Sequence, residues 1–342
     1  MKTEIIKIDY LCTGQSAIVV ASEKIKSGGL VAFPTETVYG LGADALNAVA
    51  CAKIFQAKNR PLADPLIVHI EDKQDLLRLS NEVYKITLDL VDAFWPGPLT
   101  LVLKKSQNIP LIVTAGLETV AVRMPDHPVA LSLIKESQTP IAAPSANLFG
   151  RPSPTTAQHV YDDLNGRVDL ILDAGKTSIG VESTILDLTQ TPFRILRPGG
   201  VSLESLRTIV SDIEPYEGNK ILSPGMFKSH YSPQAKLILI DGNGEVQVDR
   251  VRELAADFHL QGYQFGIMAK EENVEKYNDF KVKNLGAGEN LTECAANLFS
   301  VLREFDREGV SVILAEGVKE EGVGVAIMDR LRRAQGIKRK YV

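Results

Sequence analysis

From residue 30 to about 210, short runs of β-branched and other apolar residues alternate with segments whose apolar positions recur at helical spacing. Residues 30–33, 65–70, 99–104, 120–124, 141–143, 170–173, 183–188 and 193–196 read as strands, each short, apolar and bounded by polar or turn-forming residues. Residues 45–57, 82–94, 128–137 and 156–164 read as helices between them. Several of these strands follow one another too closely for helical crossovers, so a mixed sheet is expected rather than a purely parallel one.

Between 211 and 234 the rhythm breaks. Pro215, Gly218, Pro224, Gly225 and Pro233 forbid a long helix or a central strand, which marks a linker. Met226, Phe227, His230 and Tyr231 are large groups that a flexible tether does not need, and they suggest a lid that shields a reaction from water. Beyond it, strand patterns at 236–240, 264–269 and 311–315 alternate with helix patterns at 248–260, 291–305 and 326–334. That order predicts a smaller, mostly parallel, Rossmann-like α/β domain. The expected organisation is a domain over 1–210, a linker over 211–234 and a second domain over 235–342, a division that 342 residues accommodate as two cores.

Composition narrows the function. The net charge of −5 and a pI near 5.7 speak against a chain that grips RNA through its whole surface, so direct binding of nucleic acid, tRNA included, is expected to be weak or absent. Any phosphate chemistry here must therefore rest on a local cluster of Lys and Arg inside a cleft. No apolar run approaches the roughly 20 residues of a membrane span, and the N-terminal residues alternate charges with Ile, so a cytoplasmic protein with no membrane contact is expected. Cys12, Cys51 and Cys294 form no C-x-x-C pair and read as small buried hydrophobes. Gly175-Lys176-Thr177 resembles the end of a P-loop, but Leu170 stands where its first glycine belongs. Trp95, beside Pro96-Gly97-Pro98, reads as a packing anchor at a turn.

What remains is a series of polar groups at strand ends, where α/β sheets bind ligands. Thr35 and Thr37 follow the first strand, in Pro34-Thr35-Glu36-Thr37-Val38-Tyr39-Gly40. Lys58 and Arg60 close a helix, with Pro61 fixing where the chain turns. His69 lies in an apolar strand, and Arg123 near the end of another, where its charge must find a partner. Ser145 and Asn147 follow Ala143-Pro144, Ser153 follows Arg151-Pro152, Ser183 follows Glu182, and Arg197 precedes Pro198-Gly199-Gly200.

In order and spacing, residues 34–42, 58–69, 143–155, 182–185 and 197–200 resemble the YrdC/Sua5 family. Ser223-Pro224-Gly225-Met226 with His230-Tyr231 is similar to that family's junction to a C-terminal Sua5 domain. The resemblance implies a YrdC-like twisted sheet with a positively charged cavity. It also implies synthesis of L-threonylcarbamoyl-AMP and pyrophosphate from L-threonine, bicarbonate or CO₂, and ATP, with Mg²⁺ accompanying ATP and no organic cofactor. The product is expected to pass to a tRNA threonylcarbamoyl-transferase complex for t6A modification of ANN-decoding tRNAs. By the same resemblance Thr35, Thr37, His69, Arg123 and Ser183 hold threonine. Lys58, Arg60, Ser145, Asn147, Ser153, Arg197 and Tyr231 contact ATP, and Lys58 and Arg60 stabilise charge at the reacting phosphates. Arg60 is expected as an exposed cleft residue.

Two positions depart from the family pattern: Asp64, where Asn is usual, expected to face Mg²⁺ or solvent, and Phe227-Lys228-Ser229 in the linker. The chemistry needs alignment and charge neutralisation rather than a protein nucleophile. Two alternatives are a non-catalytic RNA-binding module and a carbamoyl transfer to another acceptor.

Overall fold

A computed structural model describes residues 2–8, 14–227, 230–242 and 244–336; Cys12, Lys228, Ser229 and the basic Lys338, Arg339 and Lys340 lie outside the described residues. Two compact units are distinguished. One comprises Met1–Phe149, Ser153–Ser178 and Glu182–Met226, the other Gly150–Pro152, Ile179–Val181 and Phe227–Val342.

The first unit contains β1 (Glu4–Lys7), β2 (Val31–Phe33), β3 (Gly40–Asp44), β4 (Ile67–His69), β5 (Leu99–Lys104), β6 (Thr119–Arg123), β7 (Ile141–Ala142), β8 (Leu170–Asp173), β9 (Thr184–Asp187), β10 (Phe193–Arg197) and β11 (Ile213–Pro215). Among the described residues they form one sheet in the order β1-β8-β2-β3-β7-β4-β6-β5-β9-β10-β11. It is mixed, as expected: β4 and β6 are parallel, β5 and β6 antiparallel, β5 and β9 parallel. β11 falls inside the stretch read as a linker and pairs at the sheet's edge with β10.

Alternation along the strands sorts their residues onto two faces. Val68, Leu101, Val122 and Leu186 join a large cluster with Ile54 and Phe55 of helix Ala48–Lys58, Leu90 and Val91 of helix Lys85–Phe94, and Val160 of helix Ala157–Leu164. On the other face, helices Gly14–Lys26 and Pro128–Ser137 cover Val31, Phe33, Ile141 and Leu172. Tyr216, Leu222 and Met226 pack on a separate apolar group formed by Ile67, Val102, Ala121, Ile185 and Leu196. Fully burying one large aliphatic side chain contributes roughly 1.5–3 kcal/mol, so these clusters, rather than strand propensity, hold three-residue strands such as β2 and β4.

The strand β3 lies between the strand expected over 30–33 and the helix expected over 45–57, where the apolar pattern predicts no element. Gly-Leu-Gly-Ala-Asp looks like a turn, yet a Cβ on Gly42 would lie 2.8 Å from both the Ile141 and Phe33 side chains. Its glycine serves close packing between β2 and β7 rather than a bend.

The second unit carries β12 (Lys236–Ile240), β13 (Phe265–Ala269), β14 (Val282–Asn284) and β15 (Val312–Glu316), all parallel in the order β12-β15-β13-β14. Helices Gly244–Leu260, Leu291–Arg307 and Gly324–Gln335 accompany the sheet, giving the expected Rossmann-like arrangement. Two short segments from earlier in the chain belong to this unit. Gly150 accepts a hydrogen bond from the Ser232 amide (2.7 Å), and the Pro152 carbonyl accepts one from Arg303 Nη2 (2.5 Å). No helix among the described residues is long and apolar enough to cross a membrane.

Candidate active site

His69 ends β4, Arg123 ends β6, and the two are register partners in the parallel pair. Alternation places them on the same face as Ile67 and Ala121, so a polar stripe continues the apolar group beneath Tyr216, Leu222 and Met226. Because β9 runs antiparallel to β6, the start of β9 lies at the same end of the sheet as the end of β6. Ser183 stands immediately before β9, and its hydroxyl is 2.8 Å from that of Thr100 in β5.

The loop between β2 and β3 reaches this stripe. Thr35 Oγ1 donates to the Val38 carbonyl (2.7 Å), lies 2.8 Å from Thr37 Oγ1 and accepts from the amides of Thr37 and Val38, an arrangement that closes the turn on itself. Arg123 is 4% exposed and donates from three nitrogens: Nε to the Gly97 carbonyl (3.2 Å), Nη1 to Thr37 Oγ1 (3.0 Å) and Nη2 to Glu36 Oε1 (2.5 Å). The partner that the strand-end arginine required is therefore Glu36, which sequence reasoning passed over as one acid in a polar loop. Glu36 Oε2 is buried and has no hydrogen-bond partner among the described residues. His69 is 3% exposed, and burial first, then the neighbouring Arg123 charge, pull its pKa down to about 3, so the imidazole is neutral.

The predicted ATP side is organised by buried cations. Asn47 caps helix Ala48–Lys58 by accepting from Val49 and Ala50 amides, and Asn59 ends it in the left-handed region at φ 54°. This delivers Lys58 to the carbonyls of Ser145 (2.5 Å) and Asn147 (2.6 Å), so the ammonium shapes the loop that carries both residues. Arg60 is not the exposed cleft residue expected. It is 7% exposed, donates to the carbonyls of Asp64 (3.1 Å) and Pro65 (2.7 Å), and pairs with the Asp64 carboxylate at 2.8 Å. Asp64 accordingly faces Arg60 rather than Mg²⁺ or solvent. Burial pushes its carboxyl up, while the charges of Arg60, Lys58 and Arg197 pull it back, so three cations act on one acid.

Arg197 joins this group to the polar stripe. It donates twice to the Ser183 carbonyl (3.2 and 2.9 Å), to the Ser183 hydroxyl (3.2 Å) and to the Pro224 carbonyl (3.2 Å). The Ser153 hydroxyl bonds Glu182. Thr35, Thr37, His69, Arg123, Ser183 and Arg197 are thus linked through contacts or strand register, and Lys58, Arg60, Ser145 and Asn147 group beside Asp64. Tyr231 belongs to the second unit, where its ring stacks on Phe299 (5.6 Å between centroids) under the Arg330 guanidinium (4.9 Å). Trp95 is a packing anchor, 5% exposed and bonded to the Leu99 carbonyl.

Comparison with known proteins gives these groups a context. A family model described as "Telomere recombination" (Sua5_yciO_yrdC) matches residues 23–199, and one described as the threonylcarbamoyl-AMP synthase C-terminal domain matches residues 201–336. A threonylcarbamoyl-AMP synthase from Pyrococcus abyssi is 47% identical over 93% of this chain and 94% of its own. One from Bacillus subtilis is 45% identical over 96% and 95%. The crystal structure of P. abyssi Sua5 complexed with L-threonine superposes with a TM-score of 0.92 at 44% identity, covering 98% of both chains. With both of its domains matched in order, the chain belongs to the YrdC/Sua5 family in its two-domain form.

Proposed function

We propose that the chain condenses L-threonine, bicarbonate or CO₂, and ATP into L-threonylcarbamoyl-AMP and pyrophosphate, the activated intermediate for t6A modification of tRNA. The observation that carries the reading is the buried Arg123–Thr37 contact, with neutral His69 in register beside it and Ser183 at the same end of the sheet. Near-full-length similarity to threonylcarbamoyl-AMP synthases supports it.

In this reaction the deprotonated threonine amine adds to the carbon of CO₂, opening a C=O π bond and shedding a further proton, or to that of bicarbonate with loss of water, to give a carbamate. A carbamate oxygen then attacks the α-phosphorus as the bond to pyrophosphate breaks. Arg123 grips the threonine carboxylate, for which a planar fork is better suited than an ammonium. The Thr35 and Thr37 hydroxyls, His69 and Ser183 orient the rest of the amino acid. Arg197, bonded to Ser183, stands between the two substrates' sides and contributes positive charge where phosphate is handled. Lys58 holds the Ser145–Asn147 loop in shape, Arg60 adds charge from the Asp64 pair, and Ser153 completes the nucleotide contacts. Mg²⁺ would accompany the triphosphate and neutralise its charge. Asp64 is paired with Arg60, so Mg²⁺ would enter with the triphosphate rather than at that acid. The product passes to a tRNA threonylcarbamoyl-transferase complex.

Purified full chain with ATP, Mg²⁺ and bicarbonate should release pyrophosphate only when L-threonine is added, with threonylcarbamoyl-AMP detected by mass spectrometry. Pyrophosphate release independent of threonine, or a carbamoylated product from another acceptor, would overturn the reading.

A further inference from the structure

We propose that Glu36 reads the substrate's α-ammonium group, making Arg123 and Glu36 a paired receptor for a zwitterion; the inference rests on the threonine-binding reading above. Glu36 is 6% exposed, and its two oxygens differ. Oε1 accepts from Arg123 Nη2, while Oε2 is buried with no hydrogen-bond partner among the described residues. An ionised carboxylate offers about four lone-pair sites, and a bare buried oxygen is costly unless a ligand completes it. A cation with N–H donors is the natural complement.

Arg123 supplies the other half. Its contacts to Gly97, Thr37 and Glu36 use three of a guanidinium's five N–H groups, so two remain for a carboxylate. The receptor carries one positive and one negative charge, matching the ammonium and carboxylate of an amino acid without burying a net charge. His69, next to Arg123 in register, is neutral and adds no charge that would repel an ammonium. Glu36 also lies between Thr35 and Thr37, the two hydroxyls assigned to the same ligand, and its carbonyl accepts from Ser178 (3.3 Å), which ties the loop down. The site is thereby selective for amino acids over hydroxy acids of the same carbon skeleton.

The experiment measures binding of L-threonine and of (R)-3-hydroxybutanoate, threonine without its amino group, to the full chain by titration and competition. The wild type should prefer threonine by at least about tenfold, the scale of one charge-assisted hydrogen bond. Glu36→Gln should lose about tenfold in threonine affinity while (R)-3-hydroxybutanoate changes by less than about twofold, erasing the preference. Glu36→Asp, which keeps the charge, should retain a preference and serves if the Gln variant does not fold. A parallel loss for both ligands would show that Glu36 only props Arg123 and would overturn the inference. Failure of the wild type to bind threonine at all would instead refute the function proposed above.

Discussion

Two buried glutamates, one in each unit, differ in how far their oxygens are satisfied. Glu316 at the end of β15 is 0% exposed and surrounded by donors: the Lys270 amide (2.7 Å), the Asn273 amide group (3.0 and 3.2 Å) and the Tyr277 hydroxyl (2.5 Å). The shell beyond is complete as well. Lys270 Nζ donates to Gln247 Oε1 (2.8 Å), whose Nε2 donates to the carbonyls of Ile240 and Gly317, tying together the ends of β12, β13 and β15. Burial, together with the bond to Glu316, pushes the Tyr277 phenol far up, so it stays a donor. Glu36 has one oxygen on Arg123 and one with no hydrogen-bond partner among the described residues, and Nδ1 of the neutral His69, the register partner of Arg123, lacks one as well. A closed network rigidifies a scaffold, whereas an open one is poised for a ligand.

The largest effect is expected where the closed network is broken. Glu316→Ala leaves a backbone amide, an amide side chain and a phenol buried without acceptors, which should cost about 4 kcal/mol in urea unfolding of the second unit. Threonine affinity of the folded fraction should stay as it was. Unchanged stability would mean that the network around Glu316 is not the scaffold described.

Next comes Arg60, which now has two roles to separate. Arg60→Ala should slow turnover by about 3 kcal/mol, on the scale of losing one preorganised charge contact. It should also destabilise the first unit, because Asp64 is left buried without its partner. Adding Asp64→Asn should restore stability but not turnover. Recovery of both would make Arg60 purely structural.

Arg123→Lys should weaken threonine binding about 100-fold, since an ammonium cannot serve Thr37, Glu36 and a carboxylate together. ATP binding should change little. Equal losses for the two ligands in calorimetric titrations would remove Arg123 from the threonine side.

The smallest effect is the acid response of His69. Between its ordinary pKa of 6.5 and the folded value of about 3, the unfolded chain takes up a proton that the folded imidazole refuses. Stability supplied by this group is intact above pH 6.5 and falls by about 1.4 kcal/mol per pH unit below it. Urea midpoints at pH 7 and pH 5 should show a shallower decline for His69→Asn than for the wild type, and identical slopes would contradict a buried neutral imidazole.

The legible parts of the fold are those whose local pattern and tertiary role agree. β5, β8 and β12 have the bounds that their apolar alternation dictates, as does helix Pro128–Ser137, with proline at its first position. Helix Gly14–Lys26 was passed over although Ala17, Ile18, Ala21 and Ile25 carry helical spacing and are all buried. β3 hid behind its glycines, whose purpose is visible only once Phe33 and Ile141 are seen against Gly42. At the site, residue types and loops were readable because polar groups interrupt apolar strands. Pairings were not, since Glu36 and Arg123 are 87 positions apart and nothing local joins them. The one available signal was the requirement that a strand-end arginine have a partner. Arg60 was misread as exposed because its burial depends on Asp64, whose role as a counter-charge is set by the fold.

Hydrogen–deuterium exchange of the full chain with and without saturating L-threonine tests the open and closed networks side by side. Amides in 34–39, 120–124 and 183–185 should become protected, as the ligand completes the partners that Glu36, Arg123 and Ser183 lack or share. Amides in 270–277 and 312–316, around Glu316, should exchange at the same rate in both conditions. Protection centred on the Glu316 network, with none at 34–39, would contradict the assignment of the amino-acid site to the first unit.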